Sequence, residues 1–306
     1  MKMRKKTEIS MRISNKIVME KITKKQIKYI LVCFFIIMGL YITWLLCRIF
    51  IMDRFVIPSE SMYPTLVPGD RVLVDKTEYG ARLYKDLHFD KAGVDLKSFR
   101  TRGLGQVNRN DVVAFNMPNN GWKIKFIINY VYCKRCIALP GDSISAVNSH
   151  YINNNYAGVL GLKSEQDKLA SLPDNSIKCG FFVYPYDHIW TIKNFGPLYI
   201  PRKGDIIDIH PKEGCMYGLA LEWELKKKIV VDWGKGTVTA DGKPITRHHF
   251  LHNYYFMAGD NIIDSDDSRY WGLVPEEYII GKVVKVLYSK DKKTNKLRWN
   301  RFLKNM

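Results

Sequence analysis

The chain has 306 residues, 46% of them hydrophobic, and a formal net charge of +18, so it can bury a real core as one domain or one domain with insertions. The charge sits at the two ends: residues 1–28 carry net +8 and residues 289–306 net +6, leaving +4 between them. A mildly basic body with two basic ends argues against a nucleic-acid groove and for contact with membrane lipid.

Residues 1–28 form a basic segment, and Tyr29 to Cys47 follows without a charge; Ile49 to Met52 extends the apolar run past Arg48. That length predicts one transmembrane helix over 29–52. A cleaved leader would be shorter and would end in small residues, whereas this run ends in Arg48-Ile49-Phe50-Ile51-Met52-Asp53-Arg54. The expectation is an uncleaved, single-pass anchor. Lysine and arginine excess before it predicts a cytoplasmic N-terminus, with everything after Asp53 across the membrane.

Beyond the anchor the apolar runs are short and rich in β-branched residues. Strands are predicted at Arg71–Val74, Asp111–Phe115, Tyr130–Ala138, Ile206–Ile209, Ile229–Val231 and Ile280–Tyr288. Turns are predicted at Pro68-Gly69-Asp70, Pro140-Gly141-Asp142, Lys203-Gly204-Asp205 and Asp241-Gly242-Lys243. The fold class that follows is mostly β, an antiparallel domain over 53–290 preceded by the single helix. Residues 143–200, with the Asn-rich patch Asn148 to Asn155, read as an irregular insertion or lid. Residues 291–306 read as a basic tail bearing Trp299 and Phe302, solvated or laid against lipid headgroups.

The six cysteines divide unevenly. Cys33 and Cys47 lie in the anchor as apolar packing. Cys133, Cys136, Cys179 and Cys215 would face an oxidising compartment, where disulfides are permitted; a Cys179–Cys215 bridge is one pairing that the sequence leaves open. Cys133-x-x-Cys136 has the spacing of a redox or zinc pair, but it sits inside a strand and has no second CxxC. His248-His249-x-x-His252 lacks the glutamate of a zinc protease. Asp260, Asp264, Asp266 and Asp267 crowd together without the spacing of a calcium loop. No metal or organic cofactor is therefore expected.

Three segments carry the chemistry. Ser61 lies between Pro58 and Pro64, which restrict φ on either side and hold a hydroxyl on a rigid extended loop. No histidine stands in a triad setting, and the G-x-S-x-G elbow is missing around Ser61. Lys134 is the better base. A lysine at its reference pKa of about 10.4 is protonated at neutral pH, but burial among apolar neighbours brings it toward roughly 7–8. Such a shift of about three units corresponds to roughly 4 kcal/mol, within what desolvation supplies. Tyr130-Val131-Tyr132-Cys133 and Cys136-Ile137-Ala138 provide those neighbours. The third segment, Met257 to Gly272, is dense in small polar residues and predicts a hydrogen-bonded loop between two strands.

In this order the three segments resemble the type I signal peptidase family, membrane-anchored Ser-Lys proteases that remove signal peptides from exported proteins; the resemblance spans roughly Phe55 to Tyr288. Ser61 falls on the nucleophile of the S-M-x-P-T-L motif, and Ser59 on the residue that joins the Ser61 N–H in the oxyanion hole. Lys134 falls on the general base of K-R-x-x-G-x-P-G-D. In the polar loop Ser265 matches the serine that orients the lysine, Asp267 and Arg269 match its supporting ion pair, and Asp260 and Ser268 fall on further motif positions. The resemblance also implies that Phe55, Ile57, Pro58, Met62, Leu66, Tyr132 and Cys133 line shallow apolar pockets for small side chains. It places the catalytic domain on the periplasmic side of the inner membrane, with signal-peptide-bearing preproteins as partners.

The chain departs from the pattern in places. The usual G-D-N-R-D-N-S reads Gly259-Asp260-Asn261-Ile262-Ile263-Asp264-Ser265, Ala138 replaces a glycine, and Asn110 replaces the glycine before Asp111. Two other readings compete. A self-cleaving Ser-Lys domain of the repressor type is opposed by the anchor. A membrane-tethered, catalytically silent binding protein of the same fold draws on Ile262 alone.

Overall fold

A computed structural model describes residues 2–85, 98–116, 123–124, 130–173 and 190–306, with side chains from Lys25 onward in the first helix. Helix α1, Lys2–Phe50, forms a unit of its own. Its part from Lys25 to Phe50 is long and apolar enough to cross a bilayer, and its large apolar side chains are exposed. Helix thus extends through the basic segment, beyond the span expected at 29–52.

The second unit is built on an eight-stranded antiparallel sheet. Its strands are β1 (Met52–Val56), β2 (Asp70–Asp75), β3 (Val112–Asn116), β4 (Val131–Ala138), β5 (Tyr254–Ala258), β6 (Val274–Pro275), β7 (Ile279–Ser289) and β8 (Lys304–Asn305). The order is β1-β2-β7-β3-β4-β5-β6, with β8 also on β7. β3 and β5 are buried along their whole length, which is why they read as continuous apolar runs rather than alternations. β7 breaks register against both β2 and β3, so one long strand pairs with β3 at its start and bends on to β2. Each of the six predicted strands is present, within two residues at either end.

The described residues of the 143–200 segment, 143–173 and 190–200, are more regular than its composition suggested. Ser143–Val147, His150–Asn153 and Phe195–Tyr199 form a three-stranded sheet, followed in the chain, after its second strand, by helix α2 (Lys163–Ser171). Asn148 and Ser149, both at positive φ, are the two-residue turn of its first hairpin, where Val147 faces His150. The asparagines that looked like loop are turn chemistry. Ile144, Ala146, Leu160, Phe195 and Leu198 from this segment share one buried cluster with Ile137, Ala138 and Phe256 of the principal sheet. Two short helices, Pro211–Met216 and Gly218–Leu225, were not foreseen.

The C-terminal residues are a correction to the solvated tail. After β7 the chain turns on Asp291, whose Oδ1 accepts the Lys293 and Thr294 N–H groups at 2.9 Å. Arg298 donates to the Pro68 carbonyl and Ser289 Oγ. Arg301 is buried, donating through Nε to Asp70 Oδ1 at 2.8 Å and through Nη2 to the Thr65 carbonyl at 2.9 Å. A charge pair so far out of water is costly to break, because the surviving partner stays buried and unpaired. Arg301→Ala should therefore lower stability by about 3–5 kcal/mol, measured by denaturant titration of the detergent-solubilised chain; an unchanged midpoint would mean that the last turn is dispensable.

Candidate active site

β1 and β2 pair antiparallel, and the residues between them carry Ser61. The Ile57 N–H donates to the Asp70 carbonyl and the Gly69 N–H to the Ile57 carbonyl, both at 2.9 Å, closing the base of the loop. Met62 and Leu66 are one helical turn apart, joined by the Leu66 N–H to the Met62 carbonyl, and both sink into the core with Ile57, Val72, Val74 and Val286. Burying Met62 leaves Ser61 half-buried at the rim, with its Oγ 3.4 Å from that of exposed Ser59, either of which can donate. Two apolar anchors thus fix a hydroxyl at the surface.

Lys134 lies on β4 opposite Val113 and is 1% exposed. Its amine donates to Ser265 Oγ at 2.8 Å and stands 5.7 Å from the centre of the Tyr132 ring. Burial pushes its pKa below the ordinary lysine value; the Asp267 carboxylate opposes this and the Arg269 guanidinium reinforces it. Among the described residues no hydrogen bond joins Lys134 Nζ to Ser61 Oγ; the amine is held by Ser265 and the hydroxyl by Ser59.

The polar loop from Gly259 to Arg269 joins the two halves. Arg269 and Asp267 form a fully buried pair, Nε to Oδ1 at 2.8 Å and Nη2 to Oδ2 at 2.7 Å. Burial alone would raise the Asp267 carboxyl, but the arginine holds it below its usual range. Asp267 Oδ2 also accepts the Gly259 N–H at 2.8 Å, and buried Ser268 accepts the Met257 N–H at 3.0 Å. Asp260 ties three segments together, accepting from Arg135 Nε and Nη2 beside the lysine and from Thr65 Oγ1 in the serine loop. The Asn261 N–H donates to the Ser61 carbonyl at 3.1 Å.

In front of the serine lies a cleft of about 550 Å³, lined by Phe55, Ile57, Pro58, Ser59, Ser61, Met62, Tyr132 and Cys133, and also by Val56, Tyr130 and Val131. Leu66 does not line it; it is fully buried, packed with Ile57, Val72 and Val74 in the core. Cys133 and Cys136 are three residues apart on a strand and so face opposite sides, one to the cleft and one to the core, and both thiols are free. Burial pushes the Cys133 thiol up to about 12, which removes thiolate reactivity from the cleft. Cys215 is also a free thiol, and Cys179 lies outside the described residues. His248 and His252 are drawn apart, the first to Glu224 and the second to Glu277.

Sequence reasoning missed Thr65, Arg135 and Asn261. A signal was present for Arg135: an arginine next to a buried lysine on a strand needs its own carboxylate on the other face, and Asp260 is that carboxylate. Gly259 is the tightest point. A Cβ there would come within 2.1 Å of Ser265 Oγ and 2.4 Å of the Ser61 carbonyl, so the lysine's anchor and the serine's backbone are separated by little more than a glycine.

The family model described as signal peptidase, peptidase S26, matches residues 26–288. Signal peptidase I of Buchnera aphidicola subsp. Baizongia pistaciae is 32% identical over 244 residues, covering 78% of this chain and 70% of that one. Signal peptidase I of Buchnera aphidicola subsp. Acyrthosiphon pisum is 29% identical over 296 residues, covering 90% and 81%. The signal peptidase I structure from Enterococcus faecalis V583 is 18% identical and covers 59% of this chain and 99% of its own, with a TM-score of 0.29.

Gly259→Ala should cost about 1–3 kcal/mol, the usual range for overpacking, because one of the atoms it strikes is backbone and cannot swing aside. Denaturant titration reads the loss; an unaltered midpoint would show slack in the loop.

Proposed function

This chain belongs to the signal peptidase family, peptidase S26, and we propose that it is a signal peptidase I whose Ser61 is nucleophile and Lys134 general base. Its substrates on this reading are exported preproteins, cleaved after small residues at the end of their N-terminal signal peptides. The observation that carries it is the Lys134 amine, 1% exposed and hydrogen-bonded to Ser265 on the loop that also grips the Ser61 backbone.

The chemistry is acyl transfer. Neutral Lys134 accepts the Ser61 hydroxyl proton as the oxygen attacks the scissile carbonyl. For this the hydroxyl must leave Ser59 and meet the amine, and such bonds are commonly loose before substrate arrives. The oxyanion is received by the Ser61 N–H and the Ser59 hydroxyl, an interaction worth about 3–4 kcal/mol in comparable sites. Lys134 returns the proton to the leaving amine, then activates water to release the acyl group. The apolar cleft beside Ser61 would take the small residues before the cut. No step needs a metal or organic cofactor. The apolar part of α1 would anchor the protein as a single-pass inner-membrane span, with the basic end cytoplasmic and the catalytic unit periplasmic. The alternative, a tethered binding protein without activity, drew on Ile262 alone, and the loop keeps its ion pair and its Ser265–Lys134 bond with isoleucine there.

Ser61→Ala and Lys134→Ala should each abolish cleavage of a preprotein in detergent, followed by sequencing the new N-terminus. Lys134→Arg should fail as well, because a guanidinium keeps its proton. Substantial cleavage by either alanine variant would sink the assignment. The neutral amine is the reactive form and its fraction grows as pH rises through the folded pKa. With that pKa lowered by burial, the acid limb of kcat/KM should fall below the reference lysine value of about 10.4; a limb at or above it would contradict the role given to Lys134.

A further inference from the structure

Ile262 stands where the family motif carries an arginine, and its surroundings differ from anything a charged residue would want. It is 3% exposed and packs with Leu169 of α2, 0% exposed, and with Ile192, 4% exposed. Tyr151, Leu172 and Tyr270 close the rim of this cluster. Three of these residues, Leu169, Leu172 and Ile192, come from the inserted segment, and Tyr151 from its hairpin. The insertion is therefore docked on the polar loop through an apolar contact.

α2 is in turn fixed to the body. Gln166 accepts the Tyr151 N–H at 2.9 Å and donates to the Leu160 carbonyl at 2.7 Å. Lys193 donates to the Ala170 and Leu172 carbonyls at the end of the helix. On the other side, the Ile262 carbonyl accepts Arg269 Nη1 at 2.9 Å, and Arg269 holds Asp267, which holds the Gly259 N–H. Gly259 is the point where the loop threads between Ser265 Oγ and the Ser61 carbonyl.

We propose that Ile262 is a positioning residue: its contact with α2 holds the polar loop in the register that keeps Ser265 on the Lys134 amine. An apolar dock from the insertion occupies the place where the motif carries a charged side chain. The inference rests on the catalytic reading of Ser61 and Lys134 for its kinetic test, but the coupling itself can be read without substrate.

The full chain in detergent micelles is assayed with a preprotein as Ile262→Ala, Leu169→Ala and Ile262→Val. Either alanine should lower kcat by about 10- to 100-fold with KM within about twofold, the signature of lost geometry rather than lost binding. The acid limb of the pH profile should move toward higher pH as water reaches the amine, and Ile262→Val should stay near the parent. Leu221→Ala, a fully buried leucine in the separate cluster, is the control for stability: it should lower the melting temperature comparably and leave kcat and the limb alone. Unchanged kcat and limb in Ile262→Ala, or equal losses in Leu221→Ala, would overturn the proposal while leaving the peptidase assignment standing. If the parent cleaves nothing, the assignment fails, and amide exchange over 259–269 still decides the coupling. Faster exchange there in Leu169→Ala supports it, and unaltered exchange refutes it.

Discussion

Keeping a primary amine out of water is the constraint around which this protein is arranged. Lys134 sits on a central strand with a hydroxyl on one side and an aromatic ring on another, and burial favours its neutral form. A carboxylate nearby would undo this by holding the proton, and Asp267 is close enough to pull in that direction. Arg269 answers it. By taking both oxygens of Asp267 in a buried, two-pronged pair, the guanidinium sets its own positive charge beside the lysine against that pull. The most buried ion pair of the site thus tunes a group that neither member touches through a hydrogen bond.

Position is secured by a different set of bonds. The serine, the lysine and the polar loop come from stretches far apart in sequence, and Asp260 meets all three through Thr65, Arg135 and its own place in the loop. The Asn261 N–H on the Ser61 carbonyl adds a backbone link. Charge tuning and geometry are therefore carried by neighbouring carboxylates, Asp267 for one and Asp260 for the other.

The principal strands were legible because length and composition agree there: Asp111–Phe115 and Tyr130–Ala138 are mainly apolar, β-rich runs of strand length. The serine, the lysine and the polar loop were legible through their order along the chain. The inserted sheet was not, because its strands are short and its hairpin turn, Asn148-Ser149, lies in an asparagine-rich stretch that composition alone reads as loop. Leu66 was misplaced because both it and Met62 sink into the same core cluster, and of the two only Met62 also borders the cleft. Ile262 looked like a defect in a charged motif. It is a packing residue whose partners lie some 70 to 93 positions upstream, at Leu169 and Ile192, and no local pattern could announce them.

The Arg301–Asp70 clamp bears on how such a molecule comes to be made. The foot of the loop bearing Ser61 is braced by a side chain 231 positions beyond Asp70. Contacts of such long range form late, after most of the closure entropy has been met. During synthesis Ser61, Lys134 and Ser265 all emerge before the arginine that braces the serine loop. A ribosome still short of codon 301 therefore presents a serine loop held by its own backbone bonds alone, without the arginine against Asp70 and Thr65.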